Sequence, residues 1–199
     1  MDLFFDTEFI GFKELEPLSL GFCPIEGILP SAYFEIDVID PDISRLDEEP
    51  QFFMRTEVLN QLGSEHLLSA LRGKSIRCQR LRKAALEKSL YDYLNECVTI
   101  AASKNEKLWL VSDYDGDFEV LKKFISQEHL NTLGVRQIHV GQILPDRYAA
   151  QHAYLRVLSD LFKEGRRLDA GTKLNRHHAY FDAWVMAQAY REACRVSGY

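Results

Sequence analysis

The chain has 199 residues, of which 46% are hydrophobic, 12% aromatic and 27% charged. That balance fits a single globular domain with a true core and excludes a disordered or fibrous chain. The formal charge of −6 excludes a strongly basic scaffold that grips nucleic acid through Lys and Arg alone, but not an enzyme on nucleic acid whose bound cations supply positive charge locally.

No apolar run approaches the roughly 20 residues of a membrane span. The opening Met1-Asp2-Leu3-Phe4-Phe5 lacks the basic region of a secretory signal. Cys23, Cys78, Cys97 and Cys194 are scattered, with no C-x-x-C pair. They read as reduced thiols of a cytoplasmic protein with no membrane partner, not as a zinc site.

Residues 3–5 form a short apolar run that predicts a buried strand ending at Asp6. Residues 18–23 and 32–38 predict two more strands, with Pro24, Gly27 and Pro30 punctuating the link. The three read as an antiparallel meander. Residues 39–50 are acidic, carry Pro41 and Pro50, and read as a surface connector; residues 51–76 predict short helical pieces broken by Gly63 and Gly73. A long helix is predicted over 78–103, on the stripe Leu86, Leu90, Leu94, Cys97, Val98 and Ala101. Arg77, Arg80, Arg82, Lys83 and Lys88 give its first half a basic face, either solvated or turned to phosphates. Strands are predicted at 107–112 and 136–140, and helices at 118–125, 149–163 and about 179–195, with a polar loop over 165–176. This order predicts an α/β domain, a mixed sheet with helices on its faces.

Three segments carry the chemistry. Asp6-Thr7-Glu8 places two carboxylates on one face of a strand, because residues two apart project together. Such a pair repels unless a cation lies between, and a hard divalent ion suits oxygen ligands. By chance alone, an Asp-x-Glu also arises in a chain with 30 acidic residues. Asp113, Asp115 and Asp117 lie at the carboxyl end of a strand and open a helix, where α/β sheets place ligands; at least one of them is expected to serve only as a helix cap. His177 and Asp182 would stand about 140° apart on a regular helix. They converge only if His177 lies in the loop and Asp182 in the first helical turns. A neutral His beside a water is suited to act as a general base near pH 7. Four carboxylates and one base are what two-metal phosphodiester hydrolysis requires.

These residues resemble the DEDDh branch of the 3′–5′ exonucleases, of the ribonuclease-H-like superfamily. The likeness is strongest to small stand-alone exoribonucleases such as oligoribonuclease, ribonuclease T and the mycobacterial-type enzyme. FFDTEFIGF is similar to the first motif, VSDYDGDFEVL to the second and HHAYFDA to the third, in family order over residues 3 to about 190. The resemblance implies Asp6, Glu8, Asp117 and Asp182 as metal ligands and His177 as general base. Asp117 is favoured in the second motif because Leu121 follows it by four residues. Asp113 and Gly116 depart from the family pattern there, and Asp115 stays an alternative.

By the same resemblance the fold is a five-stranded mixed sheet, in a single domain over 1–199 with an insertion around 39–76. The cofactors are two Mg2+ or Mn2+ ions. The substrate is single-stranded RNA or a short oligonucleotide, cut from its 3′ end to 5′-nucleoside monophosphates, and a homodimer is expected. Phe12, with Phe9, matches the position of a wedge against terminal bases, although core packing would explain Phe12 equally well. Single-stranded DNA as substrate, or a silent nucleic-acid-binding module on the same fold, are the alternatives. A phosphatase built on Asp113 and Asp115 would leave Asp6, Glu8 and the His motif unexplained.

Overall fold

The computed structural model describes residues 1–11, 15–37, 42–63 and 65–198. β1 (Asp2–Ile10), β2 (Glu16–Pro24) and β3 (Ala32–Ile36) form the expected antiparallel meander. The connection that follows is helical. α1 (Glu48–Phe53) runs into one π turn (Met54–Val58) and a 3-10 turn (Leu59–Gln61), followed by α2 (Glu65–Arg72). β4 (Arg77–Leu81) then pairs parallel to β3, and α3 (Lys83–Ser103) returns the chain to β5 (Trp109–Ser112), which is parallel to β1. α4 (Asp115–Lys122) and α5 (Gln127–Leu133) lead to β6 (Arg136–His139), parallel to β5. α6 (Val140–Ile143), α7 (Tyr148–Glu164), a two-residue hairpin of β7 (Arg166–Arg167) and β8 (Lys173–Leu174), and α8 (Ala179–Ser197) complete the chain.

The molecule is thus α/β, with one mixed sheet in the order β4-β3-β2-β1-β5-β6. Strand alternation sends Leu3, Phe5, Leu20, Phe22 and Phe34 to one face, where they pack with Leu86, Leu90 and Leu94 of α3 and Leu121 of α4. Phe4, Cys23 and Tyr33 point to the other face, against Leu68 of α2, Tyr154 of α7 and the inner side of α8. Among the described residues no helix is long and apolar enough to cross a membrane. All four cysteines are free thiols.

The structure corrects five expectations. The sheet has six strands instead of five, because residues 77–81 form an edge strand and not the start of a helix. The basic face is correspondingly divided: Arg77 pairs with Glu96 and Arg80 with the buried Glu35. Helix α3 begins only after Arg82, whose backbone is extended. No local pattern marks β4; it forms because β3 offers an unpaired edge. β1 continues to Ile10, so Asp6 and Glu8 lie inside the strand and not at its end. Helix α4 starts three residues before the expected position, and the 165–176 loop contains the small β7–β8 hairpin.

One close approach sets the position of α8. A Cβ on Gly21 would stand 2.1 Å from the Tyr180 backbone nitrogen and 2.3 Å from the Ala179 carbonyl carbon. Only glycine lets the first turn of α8 rest on β2, and Gly21 is the β2 partner of Asp6.

Candidate active site

β5 pairs with β1 only as far as Phe4 and then turns away, so the edge of β1 is open from Asp6 onward. The Asp117 side chain occupies part of that opening. Its Oδ1 accepts from the Thr7 backbone N–H (3.2 Å) and from Thr7 Oγ1 (2.7 Å). Its Oδ2 accepts from the Ser112 hydroxyl, which also accepts the Tyr114 N–H and shapes the turn into α4. A backbone donor left free by the diverging strand has thereby become an anchor for a carboxylate.

The opposite wall is the start of α8. Asp182 lies in the first turn, and His177 precedes the helix with φ of 67°. That left-handed backbone, uncommon outside glycine, lets the His177 N–H reach Asp182 Oδ2 at 3.0 Å. The loop-then-helix arrangement needed for convergence is the one observed. The His177 ring meets the edge of Phe53 at 4.8 Å between centroids. His178 has a different role. It is buried, its Nδ1 caps α8 by accepting from the Phe181 N–H (3.4 Å), and its ring stacks on Tyr33 at 4.5 Å.

Two groups of potential ligand atoms result, each contained within 4.8 Å: Glu8, His177 and Asp182; and Asp6, Asp113 and Asp117. Glu8, Asp117 and Asp182 are buried. Asp6 Oδ2 and Asp182 Oδ1 are enclosed without a hydrogen-bond partner. Burial first, then repulsion from Asp117, Asp182, Glu8 and Asp113, holds the Asp6 carboxyl well above the usual range. Glu8 rises for the same reasons, partly offset by the Arg176 guanidinium. Burial also raises Asp117 and Asp182, against the hydrogen bonds each receives. Burial first, then the Arg176 charge, lowers His177 and favours the neutral ring, against a smaller pull from Glu57. A set of mutually repelling oxygens with enclosed, unpartnered atoms is suited to divalent cations.

The structure therefore brings together Asp6, Glu8, Asp117, Asp182 and His177. Asp115 lies apart, exposed in the first turn of α4 and outside both groups, whereas Asp117 is buried within one of them. Phe9 is half-buried and stacks on the exposed Tyr114 at 6.2 Å; Phe12 lies outside the described residues. Asp113 joins the cluster although the resemblance gave it no ligand role, and Arg176 and Phe53 border the site without having been singled out in the sequence. Asp113 was visible as a third aspartate at the strand end, whereas the other two carry no motif signal. No protein-family model, curated protein or solved structure matches the chain.

Proposed function

We propose that this chain is a metal-dependent 3′–5′ exonuclease with the ribonuclease-H-like fold and the DEDDh ligand set, acting on single-stranded RNA or short oligonucleotides and releasing 5′-nucleoside monophosphates. One observation carries the reading. Four carboxylates from three separate segments and a neutral histidine converge on one cleft, with buried oxygens that no protein donor satisfies. The four carboxylates form an all-oxygen donor set, which fits Mg2+ or Mn2+.

Asp6, Glu8, Asp117 and Asp182 would hold two such ions. When bound, the ions would activate the attacking water and neutralise the charge that develops on the phosphate. The chain's own residues supply the remainder. His177, half-buried and neutral, accepts the proton of the attacking water at a ring nitrogen. The hydrogen bond from its backbone N–H to Asp182 fixes where that nitrogen stands. Phe53 holds the ring plane from the side. The Arg176 guanidinium supplies positive charge felt by Glu8 and Asp182, which favours a phosphate beside an otherwise acidic cluster. The Phe9–Tyr114 stack offers an exposed aromatic face to a base without regard to its identity.

The test is incubation of the protein with 5′-labelled single-stranded RNA and the matching DNA, in Mn2+, Mg2+ or EDTA. A metal-dependent ladder shortening from the 3′ end supports the reading, and the RNA-to-DNA rate ratio assigns the substrate. Loss of neither strand by a folded sample overturns it in favour of a silent binding module.

A further inference from the structure

Resting on that reading, we propose that Asp113 is a fifth carboxylate ligand, which with Asp6 and Asp117 holds one of the two cations, and that Tyr154 Oη steadies it there. Asp113 stands at the end of β5, and a carboxylate oxygen of it lies within 4.8 Å of ligand oxygens on both Asp6 and Asp117.

The division of labour between Asp113 and Asp117 follows from their hydrogen bonds. Asp117 receives two donors on Oδ1 and one on Oδ2, so much of its accepting capacity is already taken inside the protein. Asp6 Oδ2 has no partner. A cation beside Asp6 therefore needs another negative oxygen, and Asp113 is the carboxylate placed to give it. The Asp113 backbone is held for this. Its carbonyl takes a 2.8 Å hydrogen bond from His139 Nε2, and the Gly141 N–H donates to His139 Nδ1, which leaves the ring proton on Nε2.

A second observation lies in the core layer that Tyr154 shares with Val111 of β5. Tyr154 on α7 is 5% exposed, and its hydroxyl is buried with no partner. An orphaned phenol in a packed core is costly unless something accepts its proton. Asp113 is an acid near enough to this phenol to act on it electrostatically. The Tyr154 Oη hydrogen bond then goes to Asp113, directly or through one water, once the carboxylate turns onto the cation.

Calorimetric titration with Mn2+ alone, checked by electron paramagnetic resonance of the free ion, tests this apart from activity. The wild type is expected to bind two ions. Asp113→Asn is expected to keep one site and weaken the other at least about tenfold, and Tyr154→Phe to weaken the same site by a smaller factor. Melting in EDTA verifies that both variants fold; Asp113 is exposed, and Tyr154→Phe removes only an unpaired hydroxyl. Two undiminished sites in Asp113→Asn overturn the inference while leaving the exonuclease reading intact. No Mn2+ binding by the wild type overturns both.

Discussion

At the scale of single residues, the site is a set of charges held together against their own repulsion. Asp182 illustrates the consequence. Its Oδ2 orders His177 and its Oδ1 has no partner, so it serves the site at the expense of the metal-free fold. Asp182→Asn keeps an oxygen for the His177 N–H but removes a carboxyl whose ionised form burial penalises up to about pH 8. Metal-dependent hydrolysis is expected to vanish, and the melting temperature in EDTA at pH 8 to rise by about 2–4 °C per kcal/mol of burial penalty relieved. A lower melting temperature in EDTA would count against this description of the cluster. His177→Ala is expected to slow hydrolysis by about 10²–10⁴-fold, the range for a lost general base. Asp117→Ala is expected to be inactive and Asp115→Ala nearly normal, since only Asp117 is buried among the other carboxylates. The reverse result in that pair would move the second-segment ligand to Asp115.

Among the elements, the decisive contact is α8 on β2. The helix carries Asp182 and its cap holds His177 and His178, while β1 carries Asp6 and Glu8; Gly21 lets the two sides meet. Gly21→Ala would drive a methyl group into backbone atoms that have no rotamer to change. The expected cost is about 1–3 kcal/mol of stability. Displacement of the α8 start by about 1 Å should also cost on the order of 10²-fold in rate. Urea unfolding together with the RNA assay checks both, and a destabilised but fully active variant would refute the positional role. His178, locked between Tyr33 and the Phe181 N–H, reinforces the same junction.

For the whole molecule, the carboxylate cluster links stability to pH. Asp117 is raised to about 7 and Asp182 to about 8 in the folded chain, in each case mainly by burial, whereas both groups release their protons near pH 4 when unfolded. Between those limits the folded state binds more protons than the unfolded state, so stability falls as pH rises. Metal-free protein should therefore melt progressively lower from about pH 4 to about pH 8, with no further loss from these groups above that. Mn2+ should remove most of the slope, because a cation replaces the proton as the counter-charge. Melting curves across that range in EDTA and in Mn2+ check this, and a metal-free profile that rises with pH would contradict it.

The antiparallel meander, the last helix and the alternation of faces along β1 were all legible in the amino-acid order. Each rests on local pattern: apolar runs bounded by turn residues, a 3.6-residue stripe, and the period-2 projection that puts Asp6 and Glu8 on one side. So was the candidate set Asp6, Glu8, Asp117, His177 and Asp182, since closely spaced acids and a histidine before a helix are visible as residue types. Tertiary structure alone decided the rest. β4 exists because β3 has a free edge, and Asp117 rather than Asp115 is drawn in among the carboxylates because Thr7 and Ser112 donate to it. Asp113 faces Asp6 only because β5 stops pairing with β1 at Phe4. These outcomes depend on groups distant in the chain that meet through packing, and no local propensity encodes which of several equivalent aspartates will find a donor, a cation or water.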